Sequence, residues 1–462
     1  MNSCIESDRL RLRTQLAYGA GDFGPSMAGN TLMVFFFFFL TTIAGLPPAL
    51  AGIVLLVSNI WSALSTVMVG ILSDRTKSRW GRRRIWMFCS APILGIGFLL
   101  LWWLPPLAVW GRFCYYLGAA LLFQTGANGF LIPYGALVTD LSEKNHEHVR
   151  LNSLRFGFSL AGCIAALLLA QGLSHWLSAP QQQLWVTGAI GGVAIVASIF
   201  GCCWGTTESR TPSAPQAKLS WGEIKLLFGN QPFSILMGIY ALSWLALHIT
   251  PAILPYFIVN CLELETSAIT SVVLVMQVTS LISLFFWEPL SRQLGKRTAF
   301  WLGSSLWVLG QFALFYLQPG QLYLMYGVAS AIGFGMGATY VVPPSMLPET
   351  IDWDELHTGQ RREGLYYSIL MFLYQVTLAL GLFFVGQWLG HAGFHEAIPG
   401  QAEVVQPHSA LVAIRQVTFA LPVVTILGSL ALTYFYPINS TLHQDTVVQL
   451  QQRRLAASNS VN

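Results

Sequence analysis

Two stretches of this chain end on the same pattern. Residues 132–150 read IPYGALVTDLSEKNHEHVR and residues 342–362 read VPPSMLPETIDWDELHTGQRR. Each leaves an apolar run, passes a proline, and sets an Asp ten residues ahead of an Arg: Asp140 before Arg150, and Asp352 before Arg362. A second, looser pair lies upstream of each, ILSDRTKSRWGRRR at 71–84 and PLSRQLGKRT at 289–298. A pattern that recurs half a chain later predicts two halves built on one plan.

The composition says what kind of halves. Of 462 residues, 54% are hydrophobic and 10% charged, where soluble domains carry about 25% charged residues. Runs of about 20 apolar residues, enough to cross a hydrocarbon core as helix, recur twelve times. They begin at about residues 16, 48, 85, 109, 152, 184, 232, 266, 298, 320, 363 and 410. The expected fold is therefore an all-α integral membrane protein with twelve transmembrane helices in two six-helix pseudo-repeats. Its parts are an N-terminal half at 1–204, a central loop at 205–231, a C-terminal half at 232–436 and a tail at 437–462. The central loop, TTESRTPSAPQAKLSWGEIKLLFGN in its middle, is polar and Pro-bearing.

Charge orients the spans. Arg9, Arg11 and Arg13, the cluster from Arg75 to Arg84, then Lys144, Arg150, Arg210, Lys218, Lys225, Arg292, Lys296, Arg297, Arg361 and Arg362 all fall in alternate connections. The opposite connections are almost bare, apart from Arg112 and Arg415 near span ends. The positive-inside rule then puts both termini in the cytoplasm, in a cell (inner or plasma) membrane. The same distribution assigns the basic runs to topology and argues against a nucleic-acid partner. The start, MNSCIESDRLRLRTQLAYG, lacks the layout of a cleaved secretory signal, so the first span is the expected insertion signal.

Enzyme chemistry finds no foothold. No phosphate-cradling glycine loop and no GxSxG elbow is present. Gly333 to Gly337, GFGMG, lies inside an apolar span, where small residues allow close helix packing. His146 and His148, beside Glu143 and Glu147, read as a hydrated loop rather than a metal pair. The seven Cys are scattered, mostly in apolar runs, and read as buried thiols. No cofactor and no metal is expected, beyond H+ or Na+ as a coupling ion.

Four motifs in order carry a family resemblance: YGAGDFG at 18–24, SDRTKSRWGRRR at 73–84, IPYGALVTDLSEKNHEHVRLNSLR at 132–155 and MLPETIDWDELHTGQRREGLYYS at 346–368. Over nearly its whole length the chain resembles the glycoside-pentoside-hexuronide:cation symporter branch of the major facilitator superfamily, the group of the bacterial melibiose permease. The resemblance implies secondary transport of a small solute by alternating access, with a site between the halves near the bilayer midplane. Function as a monomer is expected, though the sequence does not give the oligomeric state. It favours a cytoplasmic gate made of Asp74, Arg75, Arg82, Asp140, Arg150, Asp352, Arg361 and Arg362, pairing when that side closes. The plainer reading of those charges is topology signal and solvated loop.

A polar solute needs hydrogen-bonding groups at membrane depth. Asp22, Ser26 and Asn30 are spaced by four on the first span, and Gln124 and Asn128 likewise on the fourth, followed by Tyr134. Arg155, Trp244, His248, Tyr340, Tyr367, Tyr374 and Gln375 complete the expected ring. Aromatic faces with amide and hydroxyl rims suit a sugar. For each residue, bonding to a neighbouring helix is the competing reading.

Arg155 falls where melibiose-type members have an arginine that contacts sugar. Elsewhere the pattern departs. The two sugar-binding aspartates fall on Ser26 and Leu131, the two sodium-site aspartates on Ser62 and Thr66, and a lysine on Gln375. Ser62, Ser65 and Thr66 supply oxygens without charge, so sodium coupling of the melibiose type is not expected. Asp22, His248 and Glu288 remain as coupling candidates. Two other functions compete with sugar transport: a lysolipid or other amphiphile carrier, and a non-transporting membrane binding or assembly protein. FFFFFL at Phe35–Leu40 is expected to face lipid, or in the amphiphile reading to line a greasy wall.

Overall fold

The computed structural model describes residues 10–76, 78–141, 145–177, 179–207, 229–359, 363–395, 406–438 and 440–461. Its regular structure there is helical throughout: α1 (Leu12–Ala20), α2 (Phe23–Thr31), α3 (Pro48–Arg75), α4 (Arg82–Leu101), α5 (Val109–Leu141), α6 (Asn145–Trp176) and α7 (Pro180–Gly205). After the central loop come α8 (Gln231–Tyr256), α9 (Ser267–Leu294), α10 (Lys296–Tyr316), α11 (Leu322–Thr358), α12 (Glu363–His391), α13 (His408–Phe435) and α14 (Ser440–Val461).

Ten helices among the described residues are long and apolar enough to cross a membrane, against the twelve expected. The other two expected spans are the first, which is broken, and α5, whose mid-helix Gln124, Thr125 and Asn128 dilute its hydropathy. Pro25 explains the break. It has no N–H to offer the Gly21 carbonyl one turn back, and the bonds just before it tighten to Gly21 N–H on Tyr18 O (3.1 Å) and Asp22 N–H on Gly19 O (3.2 Å).

By contact density the chain forms two compact units, Met1–Pro215 with Leu382–Pro407, and Gln216–Gly381 with His408–Asn462. The end of α12 thus groups with the first unit. A side chain at Gly52 of α3 would press on Phe383 at 3.3 Å, and Gln387 donates to Ala49 O at 3.5 Å. Within the first unit α4 packs on α5 and α7, α3 on α5, and α2 on α6; within the second, α9 and α10 pack on α11, and α8 on α13.

The repeat is written into each backbone. After α2 the chain passes through two π-helical turns, Leu32–Phe36 and Phe39–Ile43, and after α8 through one, Phe257–Cys261. Both runs end alike: Ala44 N–H bonds Phe39 O and Leu46 N–H bonds Leu40 O, while Leu262 N–H bonds Phe257 O and Leu264 N–H bonds Ile258 O. Between them sit residues in the left-handed region, Gly45 (φ 63°) in one unit and Glu263 (φ 52°) in the other. Gly81 (φ 99°) and Gly295 (φ 86°) likewise precede α4 and α10, where only glycine reaches that geometry without strain.

GFGMG packs as expected: a Cβ at Gly333, Gly335 or Gly337 would run into Met276 O of α9, Gly303 O of α10 and Ser283 Oγ of α9 respectively. Two expectations change. Phe35 to Leu40 do not face outward; all six are buried, with Phe39 edge-on to Trp102 (5.3 Å) and Tyr116 (6.0 Å). The wider π-helical turns and the aromatic neighbours enclose the whole run. Among the cysteines, Cys89 and Cys114 are exposed rather than buried.

Candidate functional site

In the first unit, α2 and α6 run side by side in the same direction and are joined by a three-rung ladder. Arg155 Nε donates to Asp22 Oδ2 at 2.9 Å, Ser26 Oγ meets Ser159 Oγ at 2.6 Å, and Asn30 Nδ2 donates to Cys163 O at 3.1 Å. Each rung lies one helical turn above the last on both helices. Asp22, Ser26 and Asn30, expected on the solute side, are thus joined to α6. The glycines of YGAGDFG allow the approach: a Cβ at Gly19 would strike Phe158 and Leu154 of α6, and one at Gly24 would strike Ala194 and Ile195 of α7.

Behind the first rung stands an aromatic stack. Tyr134 stacks with Tyr18 and with Phe130, both at 4.7 Å, and the Arg155 guanidinium sits 5.0 Å from its ring centroid. Tyr134 OH donates to Tyr18 O (2.6 Å) and Tyr18 OH donates to Tyr134 O (3.4 Å). Reciprocal bonds and ring stacking hold Tyr134 beside the cation.

Asn128 of α5 reaches α3. Its Nδ2 donates to Ser62 O (2.8 Å), Ser62 Oγ (3.1 Å) and Ser65 Oγ (2.7 Å), while Thr66 Oγ1 donates back to Ser62 O (2.8 Å). Gln124, one turn before, is half-buried.

In the second unit Tyr240, Trp244 and His248 follow one another along α8, and α11 and α12 bring Tyr340 and Tyr374 to them. Trp244 lies 4.9 Å from Tyr374, 5.8 Å from Tyr340 and 5.8 Å from His248; His248 is 5.0 Å from Tyr374. Trp244 Nε1, both ring nitrogens of His248, and Gln375 Oε1 on α12 are buried without a hydrogen-bond partner. Tyr340 and Tyr367 are exposed. Glu288 is exposed too and held by Arg292 at 2.6 Å, one turn on.

The charged helix ends pair inside each unit. Asp140 takes Arg83 at 3.0 Å and Arg82 at 3.6 Å. In the other unit Lys296 meets Glu349 at 2.6 Å, and His443 of α14 reaches Asp352 at 3.3 Å. Both clusters join the start of one helix (α4, α10) to the end of the next (α5, α11). Arg75 and Arg150 are exposed. Arg361 and Arg362 lie outside the described residues, as does the Asp74 side chain. Sequence reasoning missed Ser159, Cys163 and Arg83; the constant offset between Asp22, Ser26, Asn30 and Arg155, Ser159, Cys163 was the available signal for the first two.

Long apolar helices in two units, each with a charged helix-end cluster, define a multi-span membrane protein. The fold is that of the major facilitator proteins: the solved nucleoside transporter NupG superposes with a TM-score of 0.65 at 14% identity, covering 93% of this chain and 100% of that one. The family model for MFS/sugar transport proteins matches residues 17–440, and the chain belongs to that family. An uncharacterized symporter of Synechocystis sp. is 35% identical over 98% of this chain and 99% of its own. A glucuronide carrier protein homolog of Escherichia coli is 25% identical over 97% of each. The sodium-dependent lysophosphatidylcholine symporter 1 of Gallus gallus is 24% identical over 98% of this chain and 92% of its own.

Proposed function

We propose that the protein moves a neutral sugar or glycoside by alternating access, and that the aromatic cluster around Trp244 binds it. The orphaned atoms of that cluster carry the reading. A buried polar group left without a partner costs about 1–3 kcal/mol, and Trp244 Nε1 and His248 Nδ1 and Nε2 are three such atoms beside the rings of Tyr340 and Tyr374, with Gln375 Oε1 a fourth on the helix that carries Tyr374. Sugar hydroxyls would satisfy the donors and acceptors, and sugar C–H faces would lie on the rings. Charge points the same way. Arg155 is matched by Asp22, which suits an uncharged solute better than a glucuronide. The amphiphile reading, supported by the lysophosphatidylcholine relative, finds the Phe35–Leu40 run packed against protein. Location in the cytoplasmic membrane, both termini inside, and function as a monomer belong to the same proposal.

The test is a thermal-stability screen of the purified protein against neutral glycosides, glucuronides and lysophosphatidylcholine, since bound ligand raises apparent stability. A neutral glycoside should stabilise the wild type and leave Trp244→Ala unmoved; stabilisation by lysophosphatidylcholine alone would transfer the protein to the amphiphile carriers. In proteoliposomes, alkalinisation on adding solute that is lost in Asp22→Asn marks proton coupling, and its absence from the wild type marks a facilitator.

A further inference from the structure

Some relatives are sodium-dependent by name, and a bound Na+ needs oxygen lone pairs aimed at one point, with negative charge among them inside a bilayer. The oxygens of Ser62, Ser65 and Thr66 on α3 do not fit that description. A carbonyl has two lone pairs, and Ser62 O already receives three donors: Asn128 Nδ2 at 2.8 Å, Thr66 Oγ1 at 2.8 Å and Ser65 Oγ at 3.1 Å. The same amide nitrogen lies 3.1 Å from Ser62 Oγ and 2.7 Å from Ser65 Oγ. Contact with a carbonyl fixes which end of the amide points there, because only the NH2 end can donate.

Asn128, Ser62 and Ser65 are 3%, 6% and 3% exposed, so water does not compete for these bonds. Nor is there a carboxylate in reach along either helix. At 1.5 Å per residue, Asp74 lies about 12 Å beyond Thr66 on α3, and Asp140 about 18 Å beyond Asn128 on α5.

We infer that the Asn128 amide stands where a cation would sit, its N–H groups taking up the oxygen lone pairs that would otherwise coordinate an ion. Asn128 is then the residue that sets sodium independence at this place: it closes it to sodium and holds α3 to α5 without an ion. As a statement about coupling this rests on the transport reading above; as a statement about binding it does not.

The experiment compares unfolding temperatures of the purified protein in about 100 mM NaCl and in equimolar choline chloride, where an ion that binds the folded state must raise stability. The wild type is expected to show no difference. Asn128→Asp, which sets a carboxylate against the same three oxygens, is expected to unfold a few degrees higher in sodium. If that variant does not fold, Ser62→Asp combined with Asn128→Ser puts the carboxylate on α3 and should show the same gain. Sodium stabilisation of the wild type overturns the inference, and so does a folded carboxylate variant indifferent to sodium. A protein that transports nothing would sink the transport reading and leave this comparison intact.

Discussion

Breaking the Asp22–Arg155 pair leaves a guanidinium with 22% of its side chain exposed and no counter-charge bonded to it. Asp22→Asn should therefore lower stability by about 2–3 kcal/mol, less than the roughly 3–5 kcal/mol of a fully buried pair because Arg155 keeps partial access to solvent, read as the unfolding midpoint in detergent. Arg155→Lys keeps the charge but not the planar contact over Tyr134; it touches no member of the Trp244 cluster, so it should fold nearly as well and leave solute-induced stabilisation in place. Glu263 offers the opposite sign. It holds φ 52° where the other unit has Gly45, and Glu263→Gly should raise stability by about 0.5–1 kcal/mol by removing the left-handed penalty. Arg155 was legible because its motif is long and lies at a span start. Glu263 was not, because nothing in CLELETS announces a left-handed residue.

At the level of helices, the glycines of α11 decide how closely α9 and α10 can approach. Gly335→Leu would drive a side chain into Gly303 O and Trp307, both within 3 Å of the added Cβ, and should cost more than about 3 kcal/mol or abolish folding, as overpacking a tight backbone contact does. Gly327 of the same helix has open space, so Gly327→Ala serves as the control and should leave expression and melting intact. Span positions were readable from apolar runs because hydrocarbon thickness fixes their length: the expected starts at about 48, 109, 232 and 363 meet helices that begin at Pro48, Val109, Gln231 and Glu363. The broken first span was not read as broken, although Pro25 carries the reason. Helix-facing direction was the weaker inference. Spacing by four put Asp22, Ser26 and Asn30 on one face, but periodicity does not say whether a polar face meets solute or the polar face of α6.

For the molecule as a whole, the charged helix ends pair within each unit, Asp140 with Arg83 and Lys296 with Glu349, and a role for them in turnover is separable from one in folding. Asp140→Asn should slow exchange while leaving solute-induced stabilisation in place, because it touches no member of the Trp244 cluster; equal loss of both would assign Asp140 to folding alone. The recurring Asp-to-Arg spacing pointed to the helix ends where Asp140 and Asp352 find partners, whereas the partnerless atoms around Trp244 were not legible, since a sequence does not say which buried atoms lack partners. The decisive measurement is uptake of labelled neutral glycosides into proteoliposomes in sodium-free buffer. Saturable uptake by the wild type, unchanged when sodium is added and reduced at least about tenfold by Trp244→Ala, a loss of about 1.4 kcal/mol, is the predicted result. Uptake that requires sodium, or that is confined to lysophosphatidylcholine, would contradict it.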